Sequence, residues 1–335
     1  MQILPRGIST RDERLGMTMK QNHSTVDAIN QEQIALDLET LRGIEEPEAK
    51  ISEITMPNYI AITIVHNEEA FIEETIKSVL SQSPQPNLYI VVDDDSTDET
   101  PSIIAKYPVL YMKIYEPRLF LGSMNMQRAL TKGIERATEL VPDWEFLLKV
   151  DADSIIPPNY FHQLHSLMGK YPRIGICSGI MKGGKIWKGR ASDGAKIYRR
   201  ECFNEIGGLD RIIHWDTHAI LKAYHKGWNV SAFSTIEYEE TRTSERQNLY
   251  EWYITGLTRF LLGFPLYHTI CVGAVYLRKK PYVIGSLMMI MTQLIQILRR
   301  QKRPFSKSYY EYVKKYAVWE TLIRLRRVYG VMLRR

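Results

Sequence analysis

Residues 146–161 read FLLKVDADSIIPPNYF: an apolar run, two aspartates with one residue between them, and then a Pro-Pro pair. The run has the length and composition of a strand buried in a parallel sheet, predicted here over Glu145–Val150. In extended chain, a spacing of two puts the carboxylates of Asp151 and Asp153 on the same side. Two hard oxygen donors suit Mg²⁺ or Mn²⁺, which retain waters and share their ligand shell with substrate phosphates. As an isolated pair they need be no more than solvated turn acids ahead of Pro157-Pro158. Directly behind a buried strand, they fall at the carboxyl edge where open α/β sheets bind ligands.

The same pattern recurs towards the N-terminus. Ile60–Val65 (IAITIV) is a short, β-branched, apolar run. Asn67 can cap a following helix with Glu68 and Glu69 in its first turn, and Phe71, Ile72, Ile76, Val79 and Leu80 give that helix one buried face. Leu88–Val92 (LYIVV) is the next strand and runs into Asp93-Asp94-Asp95. Ser96-Thr97-Asp98-Glu99 opens another helix, followed by a strand over Val109–Ile114 and a helix over Ser123–Ala137. Strand–helix alternation of this kind predicts right-handed βαβ units and a mostly parallel sheet flanked by helices. Helix capping explains one of Asp95 and Ser96. It does not explain three adjacent acids, whose repulsion needs an offset from hydrogen bonds or a nearby cation. A third acid, Asp216, stands in His214-Trp215-Asp216-Thr217 at the start of a helix predicted over Thr217–Lys226. It is either an N-cap or a base held rigidly beside a tryptophan.

The whole chain has 335 residues, 44% of them apolar and 24% charged, which is ordinary globular composition. Its mean hydropathy of -0.25 argues against a polytopic membrane protein. Cys177, Cys202 and Cys271 are too few and too scattered for a disulfide framework or a CxxC metal site, and the first twenty residues carry no signal-peptide pattern, so a cytoplasmic setting is expected. The P-loop and dinucleotide fingerprints are absent. The net charge of +6 is unevenly distributed. Residues 278–335 carry 15 Lys and Arg against two acids, Glu311 and Glu320, whereas the rest carries 29 basic and 36 acidic residues. An acidic body with a basic tail predicts an anionic partner for the tail, either a membrane surface or a nucleic acid.

Taken in order, IAITIVHNEEAFIEETIKSVLSQS, YIVVDDDSTDET, FLLKVDADSIIPPNYF and YRRECFNEIGGLDRIIHWDTHAILKAYHKGW resemble the family 2 glycosyltransferases of the GT-A fold, over about residues 58–232. The resemblance is to a branch with a Trp-Asp-Thr signature and a basic, apolar C-terminal region. It implies an inverting transfer of one sugar from a nucleotide-sugar donor to an acceptor hydroxyl. Asn67 and Glu68 match positions beside the nucleotide, and Asp93 or Asp94 matches the acid that contacts the base. Asp151 matches the acid near ribose and metal, Asp153 the principal ligand of Mg²⁺ or Mn²⁺, and Asp216 the general base. Arg242 and Arg246 are candidates to fold over the diphosphate. The family's Glu before the base is Trp215 here, and its Gly after the two aspartates is Asp95. The Gln-x-x-Arg-Trp motif of processive synthases is missing, so a polysaccharide synthase is not expected.

The chain accordingly divides into a flexible extension (1–56, with a helix possible over Ser24–Leu41), a catalytic domain (57–250) and a basic amphipathic helical region (251–335). In that last region Phe260–Leu277 and Pro281–Leu298 are apolar stretches of 18 residues each, at the short end for a spanning helix. The second has its apolar positions at three- and four-residue intervals, with Gly285, Ser286, Thr292, Gln293 and Gln296 on the other side. Arg278-Lys279-Lys280 precedes it and Arg299-Arg300-Gln301-Lys302-Arg303 follows it. Basic residues at both ends suit a helix lying in the interface of an anionic leaflet, at the cytoplasmic face, where a lipid-linked or other glycan acceptor is at hand. The competing reading is a helical subdomain packed on the core with a solvated basic face. Two other activities compete with this reading. A sugar-phosphate nucleotidyltransferase would show a Gly-rich N-terminal loop with Arg and Lys, which Val65-His66-Asn67-Glu68-Glu69 does not offer. A nucleic-acid binder would use the basic tail, but no recognised motif accompanies it, and no nucleic acid is expected.

Overall fold

The computed structural model describes residues 57–119, 122–184, 189–242, 248–277 and 281–332. The extension 1–56 with its Ser24–Leu41 helix, Arg246, and Arg278-Lys279-Lys280 lie outside the described residues. Eight strands are described: β1 Tyr59–Val65, β2 Leu88–Asp93, β3 Leu110–Lys113, β4 Phe146–Asp151, β5 Ser154–Ile155, β6 Ile174–Met181, β7 Ala195–Arg199 and β8 Asn229–Glu240. They form one sheet in the order β3-β2-β1-β4-β7-β6-β8-β5. The helices nearest the strand ends are α1 Ile72–Leu80, α2 Thr100–Ile104, α3 Gly122–Leu140, α4 Tyr160–Lys170, α5 Arg200–Glu205 and α6 Trp215–His225.

β1 is apolar on both faces because both faces are covered. Ile60 and Ile62 share a core with Val92, Leu147 and α3, while Tyr59, Ala61 and Val65 share another with Val91, Leu148, α1 and α4. Alternate side chains serve opposite layers, so the strand reads as a continuous hydrophobic run.

The sheet is mixed: among the described strands six run one way, as the mostly parallel expectation had it, and β7 and β5 run the other way. β3, β2, β1 and β4 are parallel, but β7 runs antiparallel to both β4 and β6, and β5 antiparallel to β8. Helix α5 follows β7 directly and β7 is entered from the loop after β6, so this stretch is a hairpin-like insertion rather than a further βαβ unit. Asn67 also differs from its predicted role. It does not cap α1, which begins five residues later; its backbone is left-handed (φ 55°) and its side-chain oxygen accepts from the Thr97 amide at 2.8 Å.

Four further helices follow the sheet: α7 Leu249–Leu261, α8 Leu266–Tyr276, α9 Val283–Leu298 and α10 Lys307–Met332. The apolar stretch 260–277 is therefore broken, with Pro265 capping α8. The catalytic core does not stop where the sheet stops. Leu262, Phe264, Tyr309, Val313, Tyr316 and Ala317 are buried in the same cluster as Ile60 and Trp215.

One close approach tests this packing. A Cβ on Gly179 in β6 would stand 2.3 Å from the Ile236 carbonyl oxygen of β8, at a register irregularity between the two strands. Gly179→Ala is expected to destabilise the fold by about 1–3 kcal/mol, read as a lower denaturant midpoint with an unchanged slope.

Candidate active site

Strand register builds the site. Val65 of β1 pairs with Asp93 of β2, and Ile64 pairs with Asp151 of β4, so the three strands end level. Val150 pairs with Ala195 of the antiparallel β7, which brings Asp193, two residues earlier, to the same edge. Glu240 at the end of β8 pairs with Ser154, next to Asp153. The Thr241 amide donates to the Asp153 carbonyl at 2.9 Å, and the Thr75 hydroxyl donates to the Ala152 carbonyl at 2.8 Å. The turn carrying the two aspartates is thus clamped from β8 on one side and α1 on the other.

Four carboxylates crowd this edge: Asp151, Asp153, Asp193 and Glu240. Burial raises the pKa of the Glu240 carboxyl above its ordinary value, and the charges of Asp153, Asp151 and Asp193 push the same way. Asp151 is also raised by burial, and Lys149 offsets part of that. Lys149, 3% exposed within β4, lies 2.5 Å from an Asp151 oxygen and donates to the Asp193 carbonyl at 2.7 Å. Lys196, equally buried in β7, holds Asp193 at 2.5 Å. The Asp193 side chain itself is exposed, and the charges of Lys196 and Lys149 leave its carboxyl below the ordinary range. Arg242 ion-pairs with Glu68, approaches Asp153 at 3.3 Å, and stacks over the Phe71 ring at 5.2 Å.

Asp216 is in the first turn of α6, behind His214, whose left-handed backbone (φ 54°) turns the chain into the helix. Trp215 is buried in the core and fixes that turn, while the His214 ring bonds the Thr258 hydroxyl of α7 at 2.8 Å. Burial raises the pKa of the Asp216 carboxyl, the Asp193 charge adds to the rise, and Lys196 and His214 oppose it. Asp216 is therefore linked electrostatically to the Asp151 turn through Lys196, Asp193 and Lys149.

The Asp93–Asp95 cluster resolves into three different roles. Asp93 is fully buried and spends both oxygens inside the protein, accepting from the Ser96 amide at 2.8 Å and the Tyr111 hydroxyl at 2.6 Å. Asp94, 2% exposed, is held by Arg118 at 2.5 Å and by Arg128 at 2.8 Å. Asp95 has a left-handed backbone (φ 68°) and faces Lys113 at 3.6 Å. Asn67 and Asp93 thus shape the loop after β2, and Asp94 anchors Arg118 at its mouth.

Several of these residues escaped sequence reasoning. Lys149 was visible as a charge inside an apolar run. Arg118 and Arg128 carried no local signal, because their partner Asp94 is distant in the chain, and Asp193, Lys196 and Glu240 carried none because only the pairing of β7 with β4 and of β8 with β5 brings them to this edge.

Among the described residues no three His, Cys, Asp or Glu side chains converge on a preformed cation site. Asp151 and Asp153 nonetheless fit a Mg²⁺ or Mn²⁺ that takes one or two protein carboxylates and completes its shell with water and phosphate. The crowding that lifts the carboxyl pKa of Glu240 is the kind that such a cation relieves.

The geometry is that of an α/β nucleotide-sugar fold of the GT-A type, and the sequence agrees. The chain belongs to glycosyl transferase family 2, whose model matches residues 60–228. It is 27% identical over 146 residues to EpsH of Bacillus subtilis (strain 168), covering 43% of this chain and 40% of that one. It is also 27% identical over 201 residues to the poly-beta-1,6-N-acetyl-D-glucosamine synthase of Staphylococcus epidermidis, covering 52% and 46%. The chain thus matches less than half the length of these curated relatives. Among solved structures, the mannosyltransferase PcManGT of Pyrobaculum calidifontis, in complex with GDP-Man and Mn²⁺, is 15% identical with a TM-score of 0.50, covering 87% of this chain and 94% of that one.

Arg128 provides a direct test of how Asp94 is held. Both members of that pair are buried, so Arg128→Met leaves a carboxylate short of a partner. With Arg118 still on the other oxygen, the expected loss is about 1–3 kcal/mol of stability by denaturant unfolding. Asp94→Asn in the Arg128→Met background should recover part of it.

Proposed function

We propose that this chain is an inverting, divalent-metal-dependent transferase that moves one sugar from a nucleotide-diphosphate sugar to the hydroxyl of a glycan or lipid-linked acceptor. The observation that carries the reading is the strand register that brings Asp151, Asp153 and Asp193 to one edge, with Asp216 near enough that the charges of Asp193 and Lys196 act on its carboxyl, inside a family 2 domain. Asp216 accepts the acceptor's proton as its oxygen attacks the anomeric carbon. The bond to the diphosphate breaks on the opposite face, so the configuration inverts. Asp153, with Asp151, would hold Mg²⁺ or Mn²⁺, which when bound neutralises the leaving diphosphate; Mn²⁺ accompanies GDP-Man in the archaeal fold relative. Asn67, Glu68, Asp94 and the arginines Arg242 and Arg246 serve the donor, with Asp93 holding the loop in shape. Transfer of one sugar, rather than processive synthesis, is supported by the missing Gln-x-x-Arg-Trp motif. The basic tail supports work at the cytoplasmic face of an anionic membrane.

The test starts from a thermal-shift screen of nucleotide sugars with Mn²⁺, because a ligand bound by the native state alone raises its stability. With the donor in hand, Asp216→Asn is expected to reduce transfer by a factor of about 10³ or more while donor affinity stays within about twofold. Equal loss of both would show that Asp216 only supports the fold.

The pH profile offers a second check. Asp216 acts ionised, and its raised pKa means that transfer declines on acidification at a pH above the ordinary carboxylate range. Asp193→Asn removes a like charge, lowers the Asp216 pKa, and should move that acid limb to lower pH. A limb that stays put would remove Asp216 from the rate-limiting protonation.

A further inference from the structure

Helix α9 has its polarity reversed for a protein surrounded by water. Its buried side carries Gly285, Ser286, Met289, Thr292 and Gln293; Ser286, Thr292 and Gln293 are 2%, 3% and 0% exposed, and Met289 is the one large apolar side chain buried there, against Trp252 and Val272. Its outer side carries Ile284, Leu287, Met291, Ile295 and Leu298, which are 39% to 72% exposed. These outer residues recur at three- and four-residue spacing and form one continuous stripe. The polar residues turned inwards are used: Ser286 donates to the Gly273 carbonyl of α8 at 2.9 Å, and Gln293 donates to the Phe264 carbonyl at 2.6 Å. Close approach does the rest. A Cβ on Gly285 would strike the Trp252 ring of α7, and one on Gly256 would strike the α9 backbone at Met289. Small residues and hydrogen bonds between helices, with apolar side chains outside, are the packing rules of helices in lipid.

The neighbouring helices extend the apolar surface with exposed Tyr253, Tyr267, Ile270 and Val275. Described cations rim it: Arg299, Arg300 and Lys302 are exposed just past α9. A cavity of about 450 Å³ opens beside Tyr267. Phe264, Leu266 and Val318 line it together with Arg303, Lys314 and Lys315. Apolar and cationic side chains on one cavity match a phosphate attached to an acyl chain.

We propose that α9 lies in the plane of an anionic bilayer with its outer stripe in the hydrocarbon, and that the Arg303–Lys314–Lys315 cavity takes the phosphate headgroup of an anionic phospholipid. This rests on the membrane reading above and gives it a face, a depth and a headgroup site. At 1.5 Å per residue, the 16 residues of α9 are about 24 Å long, short of the roughly 30 Å hydrocarbon core. Among the described residues, no helix is long and apolar enough to cross. The helix therefore lies in the interface rather than through it.

Flotation of the full chain with vesicles tests the surface. The probes are phosphatidylcholine alone and phosphatidylcholine mixed with phosphatidylglycerol. The wild-type chain is expected to float with the mixed vesicles. The triple variant Leu287→Gln, Met291→Gln, Ile295→Gln should lose at least about 100-fold in affinity for them, because its three outer side chains no longer enter hydrocarbon. These positions are exposed, and an unchanged melting temperature in detergent-free buffer verifies that the variant is folded. Lys314→Gln with Lys315→Gln should lose about tenfold in the preference for phosphatidylglycerol, with residual binding to phosphatidylcholine unchanged. Wild-type flotation that survives the triple substitution overturns this surface and leaves the membrane reading standing. Absence of wild-type flotation overturns both. A wild-type dimer that the triple substitution turns into a monomer, with flotation unaltered, would assign the stripe to a second copy of the chain and overturn the proposal.

Discussion

Everything at the catalytic edge depends on holding like charges together. Asp151, Asp153, Asp193 and Glu240 meet where strands end level, and their mutual repulsion works against the fold unless each is matched. The matching cations are mostly buried. Lys149 and Lys196 reach the edge from inside the sheet, where their own desolvation is offset only by the carboxylates they hold. Arg128 does the same for Asp94. The arrangement keeps carboxylates close together at a cost that buried lysines offset in part.

The antiparallel strand β7 makes this possible. A purely parallel sheet would send every carboxyl end towards the site and every amino end away from it. Because β7 runs the other way between β4 and β6, its amino end arrives at the site, with Asp193 just ahead of it and Lys196 beside Lys149. The charge link from the Asp151 turn to Asp216 passes through this one reversed strand. Trp215 then fixes the far end by burying its ring in the same core as β1 and β4.

The parts legible in sequence were those with a local signature. Apolar β-branched runs located β1, β2 and β4 to within a residue of their observed ends, with the turn acids at their carboxyl ends. Helix α6 was displaced by two residues, because left-handed His214 starts the helix earlier than a cap at Asp216 would. Asn67 looked like a helix cap and proved to hold the Thr97 loop, since a cap and a loop staple use the same side-chain oxygen on a backbone amide. The reversed β7 left no mark, because the residues that pair it with β4 lie more than forty positions apart. Arg118 and Arg128 were invisible for the same reason.

The C-terminal helices show a different limit. Periodicity located the apolar stripe of α9 within a residue, yet a stripe has no direction until its neighbours are known. In a soluble helical subdomain the apolar side turns inwards, and the polar side meets water. Here α7 and α8 present backbone carbonyls and glycine gaps to α9, and those are satisfied by Ser286, Gln293 and Gly285 rather than by leucines. With the inner side small and hydrogen-bonding apart from Met289, most of the large apolar residues face outwards. The polarity of α9 therefore follows from what its neighbours offer. Meanwhile Phe264 and Leu262 tie α7 and α8 into the catalytic core. That shared core fixes the place of α7 and α8, and with them α9, relative to the sheet that carries the Asp151 turn.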